Sequence, residues 1–423
     1  MANNFSKEER VAFENILEGF QDALVLSRQV SVYNTDSTMM ERTNNTIWRP
    51  QPYIAQSFSG TDMTSNFKDF TQLAVPATIG FSKSVPWRMT ALELRDALQE
   101  NRLGNAAKQK LASDINVAVM NVASNQGTLV VSRGSAATGF DDVAQIEAIM
   151  NEQGVQDFER CLALSTRDYN GMASNLANRQ NLVASKTITA YEKSRIGMVG
   201  SFDTYKLDYA NRLTPAAGVS VSINGANQWY TPRATSTAST GEVSNVDNRY
   251  QNLNITVGSG TVKVGDAFTI TGVYAVHHIT KASTGQLKTF RVTAIVSGSG
   301  GTGTVQISPP IISGGGGTDA ELEYQNVTTT PASGAAITFL NTVTANINPF
   351  WQKDAIELLP GRYVIPPDAG VAVMRASTDQ GIEIVMQKFY DINTMVTKYR
   401  LDCFFGVVNK QPEMTGIMLF SQT

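Results

Sequence analysis

Side chains that could do chemistry are few and badly spaced in this chain of 423 residues. Its two histidines, His277 and His278, are adjacent. Neighbours on a strand point to opposite faces, so the pair is poorly placed to hold one ion. No cysteine cluster and no carboxylate at useful spacing accompanies it, and structural or surface histidines are expected. Gly298-Ser299-Gly300-Gly301-Thr302-Gly303 satisfies the dinucleotide pattern G-x-G-x-x-G. That chemistry needs a helix next, whose N-terminus binds the pyrophosphate. Thr304-Val305-Gln306-Ile307 continues instead as a strand, which makes the glycines a hairpin loop. Gly314 to Gly317 reads as a second loop. Asp141-Asp142 could be a carboxylate pair, but acids are favoured at the start of a helix, which is the simpler role. Cys161 and Cys403 each lie in an apolar strand and read as buried, inert thiols. The residues therefore predict no catalytic group, no metal set and no cofactor, and a protein that is not an enzyme.

Composition narrows the classes further. Charged residues make up 17% and apolar ones 42%, with 34 basic and 37 acidic side chains and a net charge of −3. Ser, Thr, Asn and Gly replace the missing charge, giving a hydrogen-bonding surface suited to large contact areas. A chain that grips nucleic acid through its phosphates needs a basic footprint, which this balance lacks. Arg28, Arg42, Arg49, Arg88, Arg95 and Arg102 form a loose scatter with acids interspersed, read as salt-bridge partners between subunits. No apolar run approaches the roughly 20 residues of a membrane span. Met1 to Arg10 is polar and mixed in charge, unlike a signal peptide. Two cysteines are too few for a disulfide framework and suggest a reducing compartment.

The elements that carry these residues follow from periodicity. Ser6 and Glu9 form a capping box ahead of a helix whose apolar face is Phe13, Ile16, Leu17, Phe20 and Leu24. Residues 47–83 read as a long open hairpin carrying Phe58, Phe67 and Phe70, with a turn at Ser59-Gly60-Thr61-Asp62. Residues 91–126 give the strongest helical signal. Thr90 and Glu93 form its capping box, Leu103, Ala107, Leu111, Ile115, Ala118 and Val122 mark its face, and Gly127 stops it. Gly104 interrupts that helix and is the expected bend. Strands at 128–132 and 161–165 alternate with helices at 141–153 and 168–178. From Gly218 to Ala345 the text becomes short β runs between Gly/Ser/Thr turns, with 17 of the 33 glycines. That spacing predicts an inserted all-β barrel or sandwich. Strands then return near 361–365, 371–375 and 382–389, with a final strand pair at 400–408 and 416–420.

The order of these parts resembles a tailed-phage major capsid protein of the Hong Kong 97 type. It is most similar to the coat proteins of lambdoid short-tailed phages of enteric bacteria, which carry an inserted β-barrel. The resemblance is carried by Asn44-Asn45-Thr46-Ile47-Trp48, Leu94-Arg95-Asp96, Gly200-Ser201-Phe202-Asp203 and Val246-Asp247-Asn248-Arg249-Tyr250. It continues through Ile307-Ser308-Pro309, Phe350-Trp351-Gln352-Lys353-Asp354-Ala355-Ile356, Arg400, Gly406-Val407, Asn409 and Pro412-Glu413. Each motif is weak alone; the collinear set covers essentially the whole chain.

The resemblance implies an α+β fold with five parts. These are an N-terminal arm (1–46), an extended E-loop hairpin (47–83), and the spine helix with the first part of the peripheral and axial domains (84–217). The inserted β-barrel (218–345) and the second part of the axial and peripheral domains (346–423) follow. It implies a major capsid protein that assembles as hexamers and pentamers with a scaffolding protein and a portal. The icosahedral procapsid expands into a head around double-stranded DNA that it does not bind specifically. Assembly is expected in the host bacterial cytoplasm, with no membrane, and the final location is the virion capsid. Glu14 and Glu18 match acidic positions that meet a scaffold helix. Trp48, Arg49, Phe58, Phe67 and Phe70 are expected to reach neighbouring subunits. The loop from Arg233 to Asn245 is expected to touch adjacent capsomers. Glu242 is its one charge between those ends, which puts a strong ionic contact there in doubt. Apart from the resemblance, a surface- or carbohydrate-binding protein using the β domain is the alternative.

Overall fold

The computed structural model describes residues 7–33, 46–64, 66–93, 97–178, 196–366 and 370–422. Ser6, Arg42 and Arg95 lie outside them. The chain divides into two compact units. One comprises Met1–Ile47, Pro76–Met120 and Ile356–Val408, the other Trp48–Val75, Asn121–Ala355 and Asn409–Thr423.

In the first unit the N-terminal helix, Lys7–Ala23, buries Phe13, Ile16 and Phe20, and Leu24 follows them inward, as the 3.6-residue spacing requires. The long helix runs as Ala97–Gln126. Ala107, Leu111 and Ile115 are buried along it, whereas Leu103 is 36% exposed and lies off the buried face. The expected start at residue 91 is corrected. Phe81–Thr90 is a strand, paired residue for residue from Phe81 opposite Phe405 to Thr90 opposite Val396. The capping box still forms: Thr90 N–H donates to Glu93 Oε2 at 2.8 Å and Glu93 N–H to Thr90 Oγ1 at 3.4 Å.

The sheet of this unit has the order Ser31–Val32, Ile356–Pro360, Val396–Asn409, Glu383–Asp391, Ala372–Ser377, with Phe81–Thr90 also on the long strand. The strand expected at 361–365 lies earlier, at Ile356–Pro360. Ile356, Leu358 and Leu359 are fully buried, a run that suits a strand covered on both faces. Gly361 ends it where a β-carbon would stand 2.5 Å from the Phe404 ring.

The expected hairpin over 47–83 is also corrected. Its paired stem is only Thr46–Pro50 with Ala74–Thr78, tied by Thr46 Oγ1 to Thr78 Oγ1 at 3.0 Å and by Gln51 N–H to the Leu73 carbonyl at 2.8 Å. Between Gln51 and Leu73 the described chain makes no strand. A solitary two-stranded ribbon is marginal, and here Pro52 and Gly60 weaken it further.

In the second unit a mixed sheet runs Leu129–Ser132, Thr415–Leu419, Asn348–Gln352, Arg160–Ser165, Phe202–Leu207, Met198–Val199. Helices Phe140–Gln153 and Thr166–Asn178 cover a core that includes Val143, Ile146, Met150, Leu162, Leu164, Phe202 and Phe350. The two last strands of the chain are not a pair. Thr415–Leu419 lies parallel to Leu129–Ser132 and antiparallel to Asn348–Gln352, while Val396–Asn409 belongs to the other sheet.

The inserted region forms a six-stranded sheet, in the order Val219–Ile223, Gln251–Ser259, Gly303–Ser308, Ser283–Ile295, Ala267–Val276, Ile337–Phe339. Its ends meet. Ile223 N–H donates to the Ala335 carbonyl and Gly334 N–H to the Ile223 carbonyl, both at 2.9 Å. The sheet thereby closes into a barrel around Leu253, Phe268, Ile270, Phe290, Ile307 and Val327. Gly298–Gly303 is the turn between two of its strands, the loop reading of that pattern.

Candidate assembly surfaces

Large apolar side chains left in water mark where a chain meets something else. The excursion between Gln51 and Leu73 carries Tyr53, Phe58, Phe67 and Phe70 at 54%, 42%, 86% and 57% exposure. Tyr53 and Phe70 meet edge to face, with ring centroids 6.1 Å apart. The base of the excursion is held on the barrel side of its own unit. The Tyr324 hydroxyl donates to the Thr71 carbonyl at 2.8 Å, Lys68 pairs with Asp319, and Leu73 packs with Ile312 and Tyr324. Asp62 accepts from Thr64 N–H and Oγ1, which fixes the turn. The excursion is therefore anchored at its root and carries four exposed aromatics on an otherwise polar segment. Trp48 and Arg49 lie half-buried in the stem strand.

Glu14 is exposed on the N-terminal helix, off the buried face; the side chain of Glu18 lies outside the described residues. Glu9, on the same helix, is instead buried and accepts from Lys388 Nζ and from the Tyr399 hydroxyl. Arg233 and Asn245 flank a small exposed hairpin, Thr235–Thr237 with Val243–Asn245, with Glu242 in its turn. Asn248 holds its root: Arg233 N–H donates to Asn248 Oδ1 at 3.1 Å and Asn248 Nδ2 to the Arg233 carbonyl at 2.9 Å.

Gly104 is buried within an unbroken stretch of helix. A β-carbon there would stand 2.6 Å from Ile16 Cδ1, so the glycine makes room for the N-terminal helix. The glycine expected to mark a bend thus has another reason to be there: close approach of two helices.

One constellation escaped the sequence reading. The barrel strand Ser283–Ile295 presents Lys288, Thr289 and Arg291 to the body of its unit. Lys288, only 1% exposed, donates to Glu413 Oε1 at 2.5 Å and to Gln153 Oε1 at 2.9 Å. Thr289 Oγ1 donates to the Thr128 carbonyl at 2.8 Å and accepts from Val130 N–H at 3.3 Å. Arg291 Nη1 donates to the Ser124 and Gly127 carbonyls, both at 3.2 Å. The last carbonyls of a helix have no intrahelical donor, and a cation there also opposes the helix dipole. Arg291 thus caps the long helix from a distant segment. Burial pulls its guanidinium down to about 10, against the opposing charge of Asp266. Charged residues inside the run Leu287-Lys288-Thr289-Phe290-Arg291-Val292 were the available signal. A strand with charges on an otherwise apolar stretch is covered by something polar on its outer face.

Around Glu413 the electrostatics are tight. Burial would raise its pKa, but Lys288 and His278 outweigh that and hold it down at about 2. His278 Nε2 lies 3.5 Å from Glu413 Oε2, yet burial lowers the imidazole pKa despite this partner. Burial takes Lys281 down to about 8, with Glu413 and Glu323 opposing. His277 Nδ1 accepts from Ile279 and Thr280 N–H at 3.2 Å, a turn cap. His277 thus holds a turn and His278 faces Glu413; no group of three metal-ligating side chains occurs among the described residues. Burial raises both thiols, that of Cys403 to about 12, which keeps them protonated near neutral pH. Asp142 accepts from Thr138 N–H, Gly139 N–H and Arg133 Nε at the start of its helix, the capping role expected of that acid pair.

The chain matches the family described as P22 coat protein, gene protein 5, over residues 1–421. Among solved structures it is similar to the CUS-3 coat protein I-domain, at 40% identity over 31% of this chain and 99% of that one, with a TM-score of 0.22. A chain from Mycobacterium phage Che8 shows 9% identity over 95% of this chain and 92% of that chain, with a TM-score of 0.46. The virus-like particle from Pyrococcus furiosus shows 8% identity over 97% and 98%, with a TM-score of 0.40.

Proposed function

The chain belongs to the P22 coat protein family, and we propose that it closes, with a scaffolding protein and a portal, into an icosahedral procapsid of hexamers and pentamers. As a phage coat protein its place is the virion capsid. The match over residues 1–421 carries this reading. Exposed aromatics on an anchored excursion support it, because such a surface needs a partner. Assembly proceeds in the host bacterial cytoplasm. Each subunit makes many modest contacts, so errors are released early and the closed lattice is held by multivalency. Trp48, Arg49, Phe58, Phe67 and Phe70 contact a neighbouring copy. Glu14 and Glu18 meet a basic helix of the scaffold. The hairpin from Arg233 to Asn245 touches the next capsomer through hydroxyls and amides rather than through ion pairs. Expansion moves rigid parts against one another. A net charge of −3 suits a wall that encloses DNA without gripping it. Electron microscopy of the chain co-expressed with its scaffold tests the reading: closed shells are expected, and their absence overturns it.

A further inference from the structure

A cavity of about 650 Å³ lies within the second unit, where the end of the long helix meets the strand Arg212–Leu213 and the barrel. Asn125, Arg212, Leu213, Tyr250, Arg291 and Ile347 are among its walls. Its charge is one-sided: two guanidinium groups line it, and among the described residues no carboxylate does. Arg291 is only 1% exposed, and a buried cation is costly unless a counter-charge neutralises it. It makes no ion pair among the described residues. The acid that acts on it, Asp266, is engaged elsewhere: its Oδ1 accepts from Asn341 Nδ2 at 2.9 Å and its Oδ2 from Lys263 N–H at 3.0 Å. Arg291 Nε and Nη1 donate to the Gly265, Ser124 and Gly127 carbonyls, which leaves Nη2 without an acceptor among the described residues. Arg212 is exposed and engages Asn346 Oδ1 through Nε at 3.2 Å, with both terminal nitrogens left over. The Tyr250 hydroxyl and the Asn125 amide likewise bond none of the described residues.

The group that would complete these walls is an acceptor with negative charge. The partial negative charge at the end of a helix repels an anion, but Arg291 Nη1 already covers the carbonyls there. Forked N–H donors from two sides suit the oxygens of a phosphate group. A bare phosphate would fill little of the volume. Leu213 and Ile347 add apolar wall beside the polar groups, the mixed lining of a site for a small organic molecule. We propose that the cavity binds a phosphate monoester. Its phosphate lies between Arg291 and Arg212, its remaining polar atoms meet Asn125 and Tyr250, and its apolar part rests against Leu213 and Ile347. The site belongs to one folded subunit and needs no second copy.

Calorimetric titration of the unassembled full-length subunit tests it, with adenosine monophosphate, inorganic phosphate and adenosine as probes at matched ionic strength. Saturable binding of the monophosphate is expected, tighter than that of inorganic phosphate and absent for adenosine. Arg291 also holds the helix end, so the variants are placed at other walls. Arg212→Gln should weaken binding about tenfold, the size of one charge-assisted hydrogen bond. Asn125→Asp, nearly isosteric, should weaken it too by setting a carboxylate against the phosphate. Both variants should keep the circular dichroism of the parent. Any of three results overturns the proposal: no saturable binding of the monophosphate, equal affinity for inorganic phosphate or adenosine, or parental affinity in both variants.

Discussion

Gly104 of the long helix and Ile16 of the N-terminal helix share one space: a β-carbon on the first would stand 2.6 Å from Cδ1 of the second. Gly104→Ala gains about 1 kcal/mol of helix propensity, and the flexible end of Ile16 yields to it, so the two effects nearly cancel. Gly104→Leu leaves Ile16 nowhere to go and should release the N-terminal helix, read as new protease cleavage between residues 7 and 23. Expansion of Gly104→Ala shells then decides between two roles. Normal expansion assigns the glycine to packing alone; blocked expansion assigns it to bending.

Arg291→Ala removes the donors to the Ser124, Gly127 and Gly265 carbonyls and takes a buried charge from the end of the long helix. A loss of about 3 kcal/mol is expected, measurable as a lower denaturant midpoint. Arg291→Lys keeps the charge but not the fork, and should recover only part of the loss.

Acid should loosen the joint between Lys288 and Glu413. The folded-state pKa of Glu413, about 2, lies below its ordinary 4.5. Its stabilising share is therefore full above about pH 4.5 and lost as pH falls through 2. His278, also depressed, adds a loss of the same sign that starts as pH falls below its ordinary 6.5. Glu413→Gln leaves Lys288 buried without its counter-charge and should cost about 3 kcal/mol at pH 7. The gap between variant and parent should close below pH 4.5 in acid-unfolding curves. A constant gap would refute the assignment.

Charge reversal of Glu14 and Glu18 should stop normal procapsid formation while the free subunit keeps its circular dichroism. Unchanged particle yield and size would remove the scaffold role from these residues.

Phe67→Ser with Phe70→Ser should abolish shells without altering subunit stability, because both side chains are exposed in the subunit. Sedimentation of lysates from scaffold co-expression reads the outcome directly.

Periodicity located most elements because it reports which side of a segment meets apolar neighbours. Phe13, Ile16 and Phe20 were legible on those grounds, and so were the barrel strands. The strand at Ile356–Pro360 was not. A segment buried on both faces has no alternation to read. The final two strands were legible singly but not as partners, since pairing at long range depends on the whole sheet. Aromatics at Phe58, Phe67 and Phe70 suggested a contact surface because a segment without strand or helix periodicity cannot turn all its apolar side chains inward. Arg291 was invisible for a similar reason: its acceptors at the helix end, Ser124 and Gly127, lie more than 160 residues away in the chain.

The short neck beneath the barrel sets how the molecule could be dismantled. Leu213 pairs directly with Ala345, and Arg212 with Asn346, in an antiparallel ladder. The chain leaves the body and comes back to it across a ladder of two residue pairs, so residues 214–344 form a detour that a two-residue turn could replace without stretching the backbone. Geometry makes the barrel excisable; chemistry does not. A body rejoined at that neck would keep its topology and lose the guanidinium that finishes its longest helix. The added domain is thus a graft that its host has come to lean on.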